Sequence, residues 1–210
     1  MSFLKKIFGK ENPEADKKLE KDVQMIRTGQ VNVIYPILKP GDWVGIKAGA
    51  LKQTLFGPPE APQLVIGFGY DAPDNFIFLM PKDIDGKDPN QVLQDAFANL
   101  EAVQSEFVFS ESLNNQVLTA SGHDFSSEKI LCQSHMMKAH QLLNAEELLV
   151  SIPRRRCMMV TSTKADKDVL NKFLQLHNHA WRDESYGNAP IINALIKIRN
   201  GKISGLFSLD

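Results

Sequence analysis

Cysteine is scarce in this chain: Cys132 and Cys157 are the only two among 210 residues. Two thiols build neither a disulfide framework nor a thiolate metal cage, and they read as reduced thiols of a cytosolic protein. An excess of either charge is also missing, with 24 Lys plus Arg against 25 Asp plus Glu and a net charge of −1. Such a chain lacks the overall basic field of a general nucleic-acid binder. Nucleic acid is therefore disfavoured as a partner, although a local basic patch stays open. No apolar run approaches the ~20 residues that cross a bilayer. The start, MSFLKKIFGKENPEADKK, lacks the unbroken apolar core of a signal peptide, because Lys5, Lys6 and Lys10 interrupt Phe3, Leu4, Ile7 and Phe8. Those four residues share a helical face. Two turns bury little area, so a short docking helix or a frayed terminus is preferred to a membrane-surface anchor. No phosphate loop or serine elbow occurs. GFGYD (67–71) lacks the third glycine and the strand–turn–helix setting of a dinucleotide fingerprint, and no cofactor is expected.

What is present suffices for one substantial core: 43% of the residues are apolar. The division expected is an N-terminal helical extension over 1–30 and a single α+β domain over 31–210. Residues 14–28 have helical spacing, with Leu19, Val23 and Ile26 on one face. VNVIYPILKPGDWVGIKAG (31–49) reads as strand material punctuated by Pro36, Pro40 and Gly41. Residues 63–80 read as a hairpin around Asp71-Ala72-Pro73-Asp74. Asp88 and Pro89 announce a helix with Val92, Ala96, Phe97 and Leu100 on its apolar face. Two short strands, EFVFS and QVLTAS, flank Asn114-Asn115. A second helix over about 125–143, capped by Asp124 or Ser126, and a third over about 165–183 follow. LLVSIPRRRCMMVTS (148–162) reads as two inner strands around a turn at Pro153. Asn200-Gly201, between alternating residues, is a type I′ hairpin signal. Its two-residue turn sets Ile198 opposite Ile203, Ile196 opposite Gly205 and Ala194 opposite Phe207. The fold class expected is α+β: mainly antiparallel sheet built from successive hairpins, with helices mostly on one face.

Candidate chemistry is sparse. Cys132 and His135, three apart on a helix, have the types of a nucleophile and its base. They share a stripe with Met136 and Ala139, which favours a core role. His177 lies with Phe173 and Leu174 while His179 points away, so HNH (177–179) does not converge on a metal. His140 falls on the polar side of its helix. His123 precedes a helix start that could take an anion, but Asp124 is the simpler occupant. Arg154, Arg155 and Arg156 remain. Three guanidiniums on a hairpin tip can grip phosphate or carboxylate, or pair with Glu146 and Glu147, or stay solvated. They are the candidate binding residues; no catalytic or metal-binding residue is assigned.

VIYPILK (33–39), DAFANLEAV (95–103), GHDFSSEKIL (122–131), EELLVSIP (146–153) and PIINALIKIRNGKISGLFSL (190–209) occur in that order. Together they resemble the bacterial YtpQ-like family over residues 31–209, except that the family carries acidic or mixed polar residues at the position of Arg156. The resemblance implies an α+β fold and a cytosolic protein. It carries no activity and no site residue over to this chain.

The first functional reading is a non-catalytic module that binds another macromolecule, such as another protein, through a sheet edge or the arginine tip, with a homodimer through an edge strand as one form of it. The second is a small thiol- or carboxylate-based enzyme with its site between sheet and helices. The third is an RNA or anion binder using the arginine tip.

Overall fold

Antiparallel pairing, between chain neighbours and across longer crossovers, builds two sheets in the computed structural model, which describes residues 13–121 and 124–209. The smaller sheet contains β1 (Ile34–Pro40), β2 (Lys52–Phe56), β3 (Leu64–Asp71) and β4 (Phe76–Phe78), with β3 in the middle. The larger contains β5 (Val108–Phe109), β6 (Val117–Ser121), β7 (Glu147–Ser151), β8 (Cys157–Ser162), β9 (Ala194–Arg199) and β10 (Lys202–Ser208). Its order is β10-β9-β7-β8-β6-β5. The helices are α1 (Pro13–Arg27), α2 (Val44–Ala48), α3 (Pro89–Ala102), α4 (Gln133–Leu143) and α5 (Lys167–Arg182). The fold is α+β. No helix among the described residues is long and apolar enough to cross a membrane. The apolar N-terminal residues and His123 lie outside the described residues.

The inner strands β7, β8 and β9 have almost no polar face, and each alternates between two apolar layers. Leu148, Val150, Val160 and Ile196 face a core shared with Leu38 and Phe68 of the smaller sheet, and with α3 and α4. Leu149, Met159 and Leu195 face the other way, onto Val169 and Phe173 of α5. Each such fully buried side chain contributes about 1.5–3 kcal/mol of transfer free energy. α3 and α4 thus line the shared core, and α5 covers the back of the larger sheet.

Four local expectations are corrected. Residues 44–48 form the short helix α2 rather than continuing a strand; it ends at Gly49 in the left-handed conformation (φ 79°). A 3-10 turn, 111–113, precedes Asn114 and Asn115, and the strand expected in EFVFS is only two residues long. The single helix expected over 125–143 is broken. Residues 128–131 make a 3-10 turn, Cys132 is extended (φ −94°, ψ 109°), and α4 begins at Gln133 with no side-chain cap. Just before the break, Glu128 and Lys129 both turn inward to backbone groups of other elements: Leu38 N–H and the carbonyls at the end of α3. Finally, the last hairpin keeps Ile198 opposite Ile203 but shifts at Ser204. Beyond that bulge Lys197 pairs with Gly205, Leu195 with Phe207 and Ala194 with Ser208. One extra residue reverses which side chains face the core, and Phe207 ends up exposed.

Candidate functional site

The three arginines do not form one tip. The turn 152–156 is covered by the segment before β9: Arg154 bridges to Pro190, Arg155 N–H donates to Ala189 O, and Ile191 N–H donates to Pro153 O. Arg154 is buried. Its Nε donates to Ala180 O at 2.6 Å, its Nη2 to Trp181 O at 2.8 Å and its Nη1 to Asn188 O at 2.9 Å. It therefore closes the end of α5, where unpaired carbonyls and the negative end of the helix dipole favour a cation. Lys129 does the same for α3, donating to the carbonyls of Leu100, Glu101 and Val103 at 3.0–3.2 Å. Arg156 adopts the left-handed conformation (φ 63°) and forms an ion pair with Asp124. Glu147 pairs with Lys197 at 3.0 Å rather than with any of the three arginines among the described residues.

Arg155 is the member that meets other chemistry. It is half-buried, and its Nε has no hydrogen-bond partner among the described residues. Its charge acts on Lys39, Asp71 and Glu128. Glu128 is the most unusual of these. It is fully buried, its Oε1 accepts from Leu38 N–H at 3.2 Å, and its Oε2 is unpaired among the described residues. Leu38 lies on β1, the edge strand of the smaller sheet, so Glu128 plugs a backbone donor that has no strand beside it. Asn99 serves the same edge by donating to Ile34 O. Burial pushes the Glu128 carboxyl up to about 7, against the opposing pull of Arg155 and Lys39. Lys39 is held below the usual lysine range by burial and then by Arg155. Burial and Asp124 raise Asp71, while Arg155 and Arg156 lower it. Lys39 and Arg155 thus both act on the buried Glu128, and Arg155 acts on Asp71 as well.

Beside this cluster lies a layer of rings. Tyr35, Trp43, Phe76 and Phe78 are all half-buried. By strand register Tyr35 and Phe78 flank Gly69 on one face of the smaller sheet. Gly67 and Gly69 make room for the layer. A Cβ on Gly67 would stand 3.0 Å from Phe78 and 3.2 Å from Trp43, and one on Gly69 would meet Ile77 O at 2.4 Å and Phe76 at 2.6 Å. The motif GFGYD is therefore a floor for aromatic rings, not a phosphate loop. The Lys39 ammonium sits 5.3 Å from the Phe78 ring centre and 5.9 Å from that of Trp43, within cation–π range. Tyr35 stacks on the buried Phe125 at 4.6 Å, joining the layer to the loop before Glu128.

The other candidates fall to the core. Burial pushes the Cys132 thiol up to about 12 and the His135 imidazole down to about 4. At neutral pH that leaves a neutral thiol and a weakly basic ring, a poor nucleophile and a poor base. His140, expected on a polar face, is buried; its Nδ1 lies 2.6 Å from Ala145 O. His177 Nδ1 lies 2.8 Å from Ser151 Oγ, a spacing suited to a nucleophile and base, but both side chains are fully buried. His179 is exposed and lies 3.7 Å from Asp183. No group of three or more His, Cys, Asp or Glu among the described residues is placed to hold a metal ion.

Sequence reasoning singled out Arg155 and Arg156 but missed Lys39, Glu128 and the ring layer. A usable signal existed for the rings: glycines alternating in one strand beside a strand carrying phenylalanines at the same spacing. Glu128 gave none, because in SSEKIL it resembles an ordinary helix-surface acid. Compared with protein-family models, curated proteins and solved structures, the chain matches none.

Proposed function

We propose that the protein is a non-catalytic binding module whose ring-layered face, with Lys39 and Arg155, engages an acidic segment of a partner protein. One observation carries this reading: half-buried aromatic rings share one face with Lys39, and Arg155, whose Nε has no hydrogen-bond partner among the described residues, acts on that same lysine. Aromatic residues and arginine are the types that dominate binding energy at protein interfaces. A carboxylate from outside would relieve the mutual repulsion of Lys39 and Arg155, giving both affinity and a charge preference. The enzyme reading is weaker, because the thiol and the buried serine–histidine pair are sealed or in the wrong protonation state. Membership of the YtpQ-like family is also our proposal, and it rests on the five stretches quoted above.

The test is affinity capture from a lysate of the source organism. Wild type is compared with Lys39→Gln and Arg155→Gln, each verified as folded by circular dichroism. An acidic protein retained by wild type and weakened about tenfold or more by either variant supports the reading. Equal capture by all three proteins, or none by wild type, overturns it.

A further inference from the structure

An unguarded sheet edge pairs with another strand, so folded chains blunt their edges with charge, proline, bulges or very short strands. Among the described residues, the other edges of the two sheets are blunted in these ways. β1 carries Pro36 and Pro40 and is plugged by Glu128 and Asn99. β2 carries Lys52 and a bulge at Leu55. β4 and β5 are three and two residues long. β10, an outer strand of the larger sheet, has such devices only in its first half, where Lys202 and the bulge at Ser204 lie. From Gly205 to Leu209 the sequence GLFSL has no charge and no proline, and its register runs unbroken to Ser208.

The backbone of that second half shows which groups are free. Leu209 turns to β9: its N–H donates to Asn193 O, and its carbonyl accepts from the Asn193 side chain. Alternation along the strand then turns Phe207 to β9 as well, and turns the N–H and C=O of Leu206 and Ser208 outward. Neither residue has a backbone partner beyond the sheet among the described residues. Phe207 lies opposite Leu195, whose side chain faces α5, so its ring stands on that face of the sheet, yet it is exposed. A large exposed ring thus sits between two residues whose hydrogen-bonding groups point away from the protein.

We propose that β10 pairs antiparallel with β10 of a second copy of this chain, about a two-fold axis through Phe207, joining the two larger sheets into one. In this register Leu206 stands opposite Ser208 of the second copy and exchanges both N–H···O bonds with it, and the symmetric pair does the same. Phe207 meets its own twin in the non-hydrogen-bonded position, where side chains approach most closely and aromatic pairs are favourable. Gly205 faces Leu209, small against large. An axis through Leu206 would instead set Ser208 against the bulged Ser204. Lys202 lies beyond the paired stretch, so no like charges are brought together. A second copy is the occupant because this edge complements itself at each paired position, as a two-fold interface requires, while an uncharged edge selects no particular foreign strand. The contact leaves the ring-layered face untouched and does not rest on the reading given to it.

Sedimentation equilibrium of the full chain is expected to show a reversible monomer–dimer equilibrium. Ser208→Pro removes an outward N–H and no bond to β9, a place where edge strands tolerate proline. Phe207→Asp sets two carboxylates opposite each other. Both positions are exposed, so circular dichroism is expected to stay unchanged while each variant weakens the dimer about tenfold or more. Val108→Ser, an exposed apolar position on the opposite edge strand β5, is expected to leave the dimer as it is. Cysteine reads the register. Phe207→Cys is expected to give a disulfide-linked dimer with copper–phenanthroline, because directly opposed non-hydrogen-bonded residues lie about 4.5 Å apart at Cα, within disulfide range. Ser208→Cys, two residues out of line with its twin, is expected to give little. Wild type that stays monomeric at its highest soluble concentration overturns the proposal. So does a dimer that Ser208→Pro and Phe207→Asp leave unaltered, or Ser208→Cys cross-linking as readily as Phe207→Cys.

Discussion

Replacing Glu128 by Gln isolates the most distinctive electrostatic feature of the molecule. The carboxyl is fully buried and titrates at about 7 rather than 4.5. At about 1.4 kcal/mol per tenfold change in proton affinity, the difference amounts to about 3 kcal/mol. Below pH 4.5 folded and unfolded chains both hold the proton. Between 4.5 and 7 only the folded chain keeps it, so stability falls as pH rises; above 7 the full penalty applies. His135 works in the opposite direction. Its folded value is about 4 against an ordinary 6.5, so it adds stability as pH rises through that interval and the gain is complete above 6.5. The wild-type curve alone is therefore nearly flat where each group changes most. The difference curve removes His135, which both proteins share. Glu128→Gln keeps an acceptor for Leu38 N–H and cannot ionise. Urea unfolding from pH 4.5 to pH 8 should show the variant gaining on wild type by about 3 kcal/mol, nearly all of it below pH 7.5. A difference constant across that interval would refute the reasoning, because it would mean that Glu128 ionises normally against Arg155 and Lys39.

Other outcomes follow from the packing. Arg154→Met should lower stability by about 3 kcal/mol or more in urea unfolding, because three carbonyls near the end of α5 lose a charged donor; Arg154→Lys should recover little of it. Gly69→Ala should cost about 1–3 kcal/mol by forcing β4 away from β3. Gly205→Ala, whose nearest neighbour would be 3.7 Å away, should change stability by less than about 0.5 kcal/mol. Cys132 should react with an alkylating reagent at pH 8 only as fast as the chain opens, since its thiol is buried and neutral, and denaturant should accelerate the labelling steeply.

Local signals carried much of the fold. Asp88 and Pro89 start α3 as expected, with Asp88 accepting from Asn90 N–H. Asn200-Gly201 makes its hairpin turn, with both residues at positive φ. The apolar runs of β7 and β8 become inner strands. What failed was non-local. Nothing near Ser204 announces a bulge, yet it reverses the outward face of β10. Glu128 and Lys129 lie within the stretch expected as one helix, but their partners are Leu38 N–H and the end of α3, far away in the chain. In the sequence the arginine triplet looks like one unit at a hairpin tip. Its first member is instead drawn inside by the end of α5, which the sequence places 26 residues later. Arg155 then falls beside Lys39 and Glu128, a juxtaposition that only the tertiary structure creates.

The claim that the ring-layered face receives an acidic partner is tested most directly by zero-length carbodiimide cross-linking in the source lysate. This chemistry joins an amine to a carboxylate in contact with it, and mass spectrometry identifies both peptides. The account predicts an adduct between Lys39 and a carboxylate of another protein, suppressed by Arg155→Gln. Lys39 joined only to this chain's own acids, while partners cross-link elsewhere and unchanged in the variant, would contradict it.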